Sequence, residues 1–426
     1  MFPRLPKLPF ACAGLFAVVS TAFACGPFFP ATIIDQGDAS LLSSPAISFL
    51  KILDSLGLPP PEFKAVPSPR IPYHDPDYAA QTLSAELADL RAAGASETVV
   101  AHHLQRRQLP DNPKDYREPD PLTDLPREFA LYYTGALAFR KADIPAARTA
   151  FEAVLALPAA ERRYKTTWAA YMLGQIATRS GDKTQAVEWF TKTREYARTG
   201  FVDSNGLAAA SLGEEARFLY DRKDWFPACE LYLRQYATGD LSAFNSLRFT
   251  ASGAIADTDP VVFIRFAQKP GPRAVISARL LELYGTSFFD LRYDSQSFIQ
   301  HNQNSDTLPI FHRWLAALEK ASITDSREAS LFALVAFQAG AFADCVRWLK
   351  LAPATDAGSN WLRAKLSLRD GRIDEATALL DSLVQQSATP FDAPENVPQL
   401  QGELAQLRLA RRDYTDAIRL LLRGDY

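Results

Sequence analysis

The chain has 426 residues, 47% of them apolar and 22% charged, with a formal net charge of −3. Such a composition belongs to a globular protein with a sizeable core, and the length allows two or three domains. The near-neutral balance argues against nucleic acid, which calls for a clustered basic surface; Arg106–Arg107 and Arg162–Arg163 are too short to form one.

The first segment in chain order is an address. Arg4 and Lys7, with no acid, precede an apolar run from Phe10 to Ala24. The run ends Ala22-Phe23-Ala24, the small-x-small pattern of a signal-peptide cleavage site, and is shorter than the roughly 20 residues a spanning helix needs. Residues 1–24 are expected to be removed on export, to the periplasm or the outer membrane. Cleavage leaves Cys25 first, in CGPFFP. A Cys directly after the cleavage point resembles the processing site of bacterial lipoproteins, which implies a lipid anchor on Cys25. Ala22 stands where such signals usually carry Leu, and cleavage with an unmodified Cys25 is the alternative. The other mature cysteines, Cys229 and Cys345, lie far apart with no C-x-x-C, and both fall at small-residue positions of predicted helices. Buried, inert thiols are expected there rather than a disulfide framework.

Residues 25–126 read as an N-terminal extension of short helices and proline-rich connections. Apolar spacing predicts helices over Ser44 to Leu56, Ala79 to Ala93 and Glu97 to Gln108. Pro59-Pro60-Pro61 and Pro67-Ser68-Pro69 interrupt them, because proline lacks the amide donor and clashes with the preceding turn. The stretch 109–126, LPDNPKDYREPDPLTDLP, is a polar linker into the main body.

A ten-residue pattern then recurs: ADIPAARTAF (142–151), GDKTQAVEWF (181–190), KDWFPACELY (223–232), GAFADCVRWL (340–349), GRIDEATALL (371–380) and RDYTDAIRLL (412–421). In each, the sixth residue is small and the tenth large and apolar. A helix-length segment with a small residue near its middle precedes each one, as at Gly135 and Gly174, or Ala333, Ala364 and Ala405. Positions four apart share a helix face, so Ala186 lets a neighbouring helix approach while Phe190 fills the groove one turn on.

This pattern resembles the tetratricopeptide repeat (TPR), a pair of antiparallel helices of about 34 residues. The resemblance implies an all-α, TPR-like superhelix of helical hairpins, with repeats 1–3 over 127–235 and repeats 4–6 over 328–426. Its first helices line a concave groove in the family. Carried over, the groove positions are Tyr132, Ala136 and Arg140, then Trp168, Tyr171, Gln175 and Arg179, then Arg217, and in the fifth repeat Trp361 and Lys365. The Lys and Asn pattern with which the family's chaperone-tail readers clamp a carboxylate is absent. The same aromatics packing against the N-terminal extension is the structural alternative.

Residues 236–327 form an irregular segment divided by Pro260, Pro270 and Pro272, with helices expected over Ala274 to Tyr284 and Trp314 to Ala321. An aromatic, amide-rich insertion, 285–311, lies between them.

Enzyme motifs are missing: there is no G-x-S-x-G, H-E-x-x-H, G-x-G-x-x-G or G-x-x-x-x-G-K-[ST]. Adjacent His102 and His103 point to different helix faces, and His301 and His312 have no ligand cluster, so neither a metal nor a cofactor is expected. Arg423-Gly424-Asp425 spells an adhesion tripeptide but reads better as a helix C-cap. The expectation is a non-enzymatic exported scaffold for protein or peptide contacts, touching a membrane only through a lipid anchor. The alternative is a glycan-binding lipoprotein. Its outlines are similar to starch-utilisation outer-membrane lipoproteins, which requires exposed Phe288, Phe289, Tyr293 and Trp314. A hydrolase with an unrecognised acid–base pair is the third reading.

Overall fold

The computed structural model describes residues 47–58, 60, 62–63, 76–107, 122–284, 307–323, 328–392 and 396–423. The expected signal peptide, Cys25, the aromatics Phe288, Phe289 and Tyr293, His301 and most of the 109–126 linker lie outside them. Among the described residues all regular structure is helical. The helices, in order, are α1 (Phe49–Ser55), α2 (Pro76–Ala92), α3 (Glu97–Arg107), α4 (Arg127–Arg140), α5 (Ile144–Ala156), α6 (Thr166–Arg179), α7 (Lys183–Arg198), α8 (Leu207–Asp221), α9 (Trp225–Ala237), α10 (Ala243–Ala256), α11 (Pro260–Ala267), α12 (Pro270–Tyr284), α13 (Thr307–Lys320), α14 (Ala329–Gln338), α15 (Phe342–Leu349), α16 (Ala357–Arg369), α17 (Ile373–Gln385), α18 (Asn396–Ala410) and α19 (Tyr414–Arg423).

The recurring decapeptide is the turn and second helix of a hairpin. Units 1–3 are α4–α5, α6–α7 and α8–α9; units 4–6 are α14–α15, α16–α17 and α18–α19. Within each unit the two helices pack together, and α6 also touches α8 as α14 touches α16, so successive units stack side by side. The small anchors Ala147, Ala186, Ala228, Cys345, Ala376 and Ala417 are all fully buried. The large partners Phe151, Phe190, Tyr232, Leu349 and Leu380 are buried with them, and Leu421 is half-buried.

The close approach works in both directions. A Cβ on Gly135 would lie 2.7 Å from the Phe151 ring, and one on Gly174 would lie 2.5 Å from Phe190. Each phenylalanine therefore seats directly on the opposite backbone, and burying such a ring is worth about 1.5–3 kcal/mol.

The turns are alike at backbone level. The first residue of every decapeptide is left-handed: φ is +61° at Ala142, +77° at Gly181, +62° at Lys223, +70° at Gly340, +75° at Gly371 and +64° at Arg412. The next amide reaches back five residues in all six, from Asp143, Asp182, Asp224, Ala341, Arg372 and Asp413 to the carbonyls of Ala138, Ala177, Leu219, Ala336, Ser367 and Arg408. This is the Schellman C-cap, which satisfies carbonyls the ending helix leaves unpaired. Asp143 and Asp182 then cap the next helix, accepting from the Ala146 and Gln185 amides.

The middle segment continues the helical packing. Pro260 and Pro270 open α11 and α12, where a missing amide costs little. Trp314 of α13 is fully buried against Phe263, 5.2 Å between ring centres, and its Nε1 donates to Ser277 Oγ at 3.0 Å. The glycan reading needed this indole on the surface; burial in the α11–α12–α13 seam overturns that expectation.

The extension divides between two places. Helix α1 buries Phe49, Ile52 and Leu53 in the core shared by α12 and units 4–6, whereas α2 and α3 contribute Leu90 and Val100 to the core of units 1 and 2. The α2–α3 hairpin is therefore the part of the extension that meets the predicted groove helices.

Candidate functional site

The first helices of units 1–3 have two ends with different surroundings. Arg140 and Arg179 are the exposed last residues of α4 and α6, and Arg217 is exposed one turn before the end of α8. A cation in a last turn complements the helix dipole. The Arg179 guanidinium lies 3.7 Å over the centre of the Phe139 ring. Half-buried Tyr171 donates its hydroxyl to Glu214 Oε1 at 3.1 Å, across the seam between α6 and α8, and Gln175 is half-buried beside it in sequence. Five of the predicted groove residues, Arg140, Tyr171, Gln175, Arg179 and Arg217, thus reach solvent.

Tyr132, Trp361 and Lys365 do not. Tyr132 is 6% exposed and meets Tyr133, Phe151 and Trp168 with ring centres 5.3–5.6 Å apart. Trp361 donates to Glu403 Oε2 at 3.0 Å, and Lys365 Nζ lies 2.8 Å from Glu403 Oε1. In unit 5 the groove expectation is corrected: both side chains face α18 of the next unit and serve the seam. Tyr132 packs among aromatic neighbours of units 1 and 2 rather than lining an open groove. Trp168 stays half-buried.

The N-terminal ends of the same helices carry a buried charge cluster under the α2–α3 hairpin. Glu86 of α2 is 1% exposed and accepts from the Tyr133 hydroxyl, from Arg107 Nε at 3.2 Å and shares a hydrogen bond with His103 Nε2 at 2.9 Å. Asp89, one turn on, accepts from Ser204 Oγ at 2.6 Å. Tyr164 donates its hydroxyl to the Ala92 carbonyl at 2.8 Å. Glu128 of α4 accepts from the backbone amides of Tyr164 and Lys165, both at 2.9 Å, holding the start of α6.

Lys165 sits at the centre. It is fully buried, and its Nζ has no hydrogen-bond partner among the described residues. Instead the ammonium lies 4.1 Å over Trp168 and 5.0 Å from the Phe129 ring centre, an aromatic box of the kind that favours cations. Burial pushes the lysine pKa down, against the pull of Glu86, Asp89 and Glu128. Burial pushes Asp89 and Glu128 up, against their hydrogen bonds. Glu86 goes the other way: burial would raise it, but His103, Arg107, Lys165 and Tyr133 outweigh that and hold it at about 2.

Sequence reasoning missed this cluster. Its one visible signal is Glu86 and Asp89 three apart on a predicted helix; nothing in the sequence places Lys165 or Ser204 opposite them. His102 and His103 do diverge, His102 towards Asp124 at 3.5 Å and His103 into the interior. No group of three metal-ligating side chains occurs among the described residues, and none of their helices is long and apolar enough to cross a membrane. Burial pushes the Cys345 thiol up to about 12 and raises that of Cys229 further, so both are poor nucleophiles. No family model and no curated protein matches the chain.

Proposed function

We propose that this chain is an exported scaffold of the tetratricopeptide type. In this reading the exposed ends of α4, α6 and α8 hold an acidic peptide or protein segment in the cell envelope. The repeat assignment is supported by six equivalent left-handed turns and by the glycine–phenylalanine seats of units 1 and 2. The carrying observation is the row of exposed cations, Arg140, Arg179 and Arg217, one from each of three successive first helices, beside Tyr171 and Phe139. Arginine and tyrosine are the side chains that dominate binding hot spots, and a single-sign row steers an oppositely charged partner.

The test is retention of a peptide array by the full chain. Acidic peptides should bind in a salt-sensitive way, and Arg179→Glu with Arg140→Glu should weaken them at least tenfold. Retention that ignores peptide charge would overturn the reading. Export rests on the N-terminal sequence alone, and the mass of the mature N-terminus tests it, separating a diacylated Cys25 from an unmodified one.

A further inference from the structure

We infer that the α2–α3 hairpin is a detachable ligand held within the chain, and that its seat on units 1–3 accepts in its place a partner helix bearing two carboxylates three residues apart. The inference goes beyond the arginine row, which lies at the opposite ends of the same helices.

The seat presents donors. Tyr133 and Tyr164 offer hydroxyls, Ser204 offers another, and Lys165 offers a buried ammonium with no hydrogen-bond partner among the described residues. The hairpin answers with acceptors along one face of α2: Glu86, Asp89 and the Ala92 carbonyl, at i, i+3 and i+6. That is the periodicity of a single helix stripe. An E-x-x-D helix is thus what the seat is shaped to read, and α2 is the example already in place.

The attachment has the marks of one that opens. Among the described residues the hairpin contributes Leu90 and Val100 as fully buried apolar residues, with Leu87, Ala93, Ala95 and Val99 half-buried beside them, while unit 1 alone contributes Phe129, Tyr132, Tyr133, Phe151 and Val154 to the same core. Segments with few buried apolar contacts open at a fraction of the global unfolding free energy. The rest of the attachment is buried charge, which adds little net stability beside an apolar seam of equal size but discriminates strongly between partners. Opening uncovers the end of the core shared by units 1 and 2, but leaves the seats between first and second helices, such as Phe190 on Gly174, in place.

Hydrogen exchange on the full chain, with a fluorescent peptide copying residues 80–94 as probe, tests this. Amides of α2 and α3 should exchange at least tenfold faster than those of α6 and α7, and Glu86→Gln should add a further tenfold while leaving α6 and α7 unchanged. Wild-type seats are mostly occupied, so the probe should bind the Glu86→Gln chain at least tenfold more tightly, the gain following the fraction open. A probe carrying Gln and Asn at positions 86 and 89 should not bind. Asp89→Asn, which keeps an acceptor for Ser204 but removes a charge facing Lys165, is the second variant should Glu86→Gln misfold. Exchange of the hairpin in step with α6 and α7 would overturn the inference, as would equal probe binding by the two chains or none. Arg179→Glu should leave probe binding unchanged; its loss there would assign the probe to the arginine row and overturn the seat, whatever becomes of that row.

Discussion

Two buried lysines, each beside a tryptophan, hold two seams of this molecule in different ways. Lys365 of α16 meets Glu403 of α18 at 2.8 Å, and the same carboxylate also accepts from Trp361 and from Gln399 at 3.1 Å. These groups belong to the stack of units 5 and 6. Lys165 faces Glu86, Asp89 and Glu128 without a hydrogen bond to any described group, and two of those carboxylates belong to the α2–α3 hairpin. The first arrangement is closed geometry, in which desolvation is offset by direct pairing. The second leaves charge only partly offset, so that seam depends on its surroundings.

The sharpest way to break this comparison is to strip one partner from each. Glu403→Ala takes the facing carboxylate from the buried Lys365 ammonium, and should cost about 3–5 kcal/mol of stability in urea unfolding. Lys165→Met keeps the volume in an aromatic box but takes away a cation that faces Glu86, Asp89 and Glu128 without a hydrogen bond, so it should cost less than Glu403→Ala. Equal losses in the two variants would mean that Lys165 is as well satisfied as Lys365.

Acid gives the next largest effect. The docked Glu86 carboxyl titrates near 2 against an ordinary value of 4.5, so its contribution is present above about pH 4.5 and is lost as pH falls through 2. That difference corresponds to about 3 kcal/mol. Asp89 and Glu128 are raised, so their penalty is relieved as pH falls towards the carboxylate range. Hairpin docking, followed by hydrogen exchange of α2 and α3, should therefore strengthen slightly on mild acidification and then collapse below about pH 4.5. A monotonic profile would show that Glu86 does not dominate the seam, whose other ionisable members are Asp89, His103, Arg107, Glu128 and Lys165.

The hairpin stack was legible in the residues because its signals are local. Ala186 and Phe190, or Ala147 and Phe151, lie four apart on one helix, and a turn residue precedes them by a fixed interval. The charge cluster was not legible because it is assembled from distant places. Glu86 meets Tyr133 across 47 positions and Asp89 meets Ser204 across 115. Trp361 and Lys365 were assigned to a groove for a related reason: their spacing marks a helix face, and only the position of α18 decides whether that face is open. Trp314 misled in the same way, its aromatic neighbourhood in sequence suggesting a surface platform that α11 and α12 cover. The arginine row was half-legible, since Arg140 and Arg179 close their helices where a cation is favoured whether or not a ligand binds, and Arg217 lies a turn before the end of α8.

The smallest expected effect lies in the backbone of the turns, where no side-chain seam intervenes. Six equivalent positions are left-handed, three of them glycine; Ala142, Lys223 and Arg412 hold the same conformation with a side chain. That conformation costs an L-residue about 1–2 kcal/mol, part of which glycine gives back by loosening the unfolded chain. Lys223→Gly and Arg412→Gly should each raise stability by about 0.5–1 kcal/mol, read as a shift in urea midpoint at constant slope. Gly181→Ala is the mirror experiment: its φ is +77° and an added Cβ would meet nothing within 4 Å, so any loss is conformational alone. A loss of about 1 kcal/mol there, beside gains at 223 and 412, would show that the six turns are one structural element repeated. No change at Gly181 would mean that the turns merely converge in shape, and that the repeat is carried by the packed anchors alone.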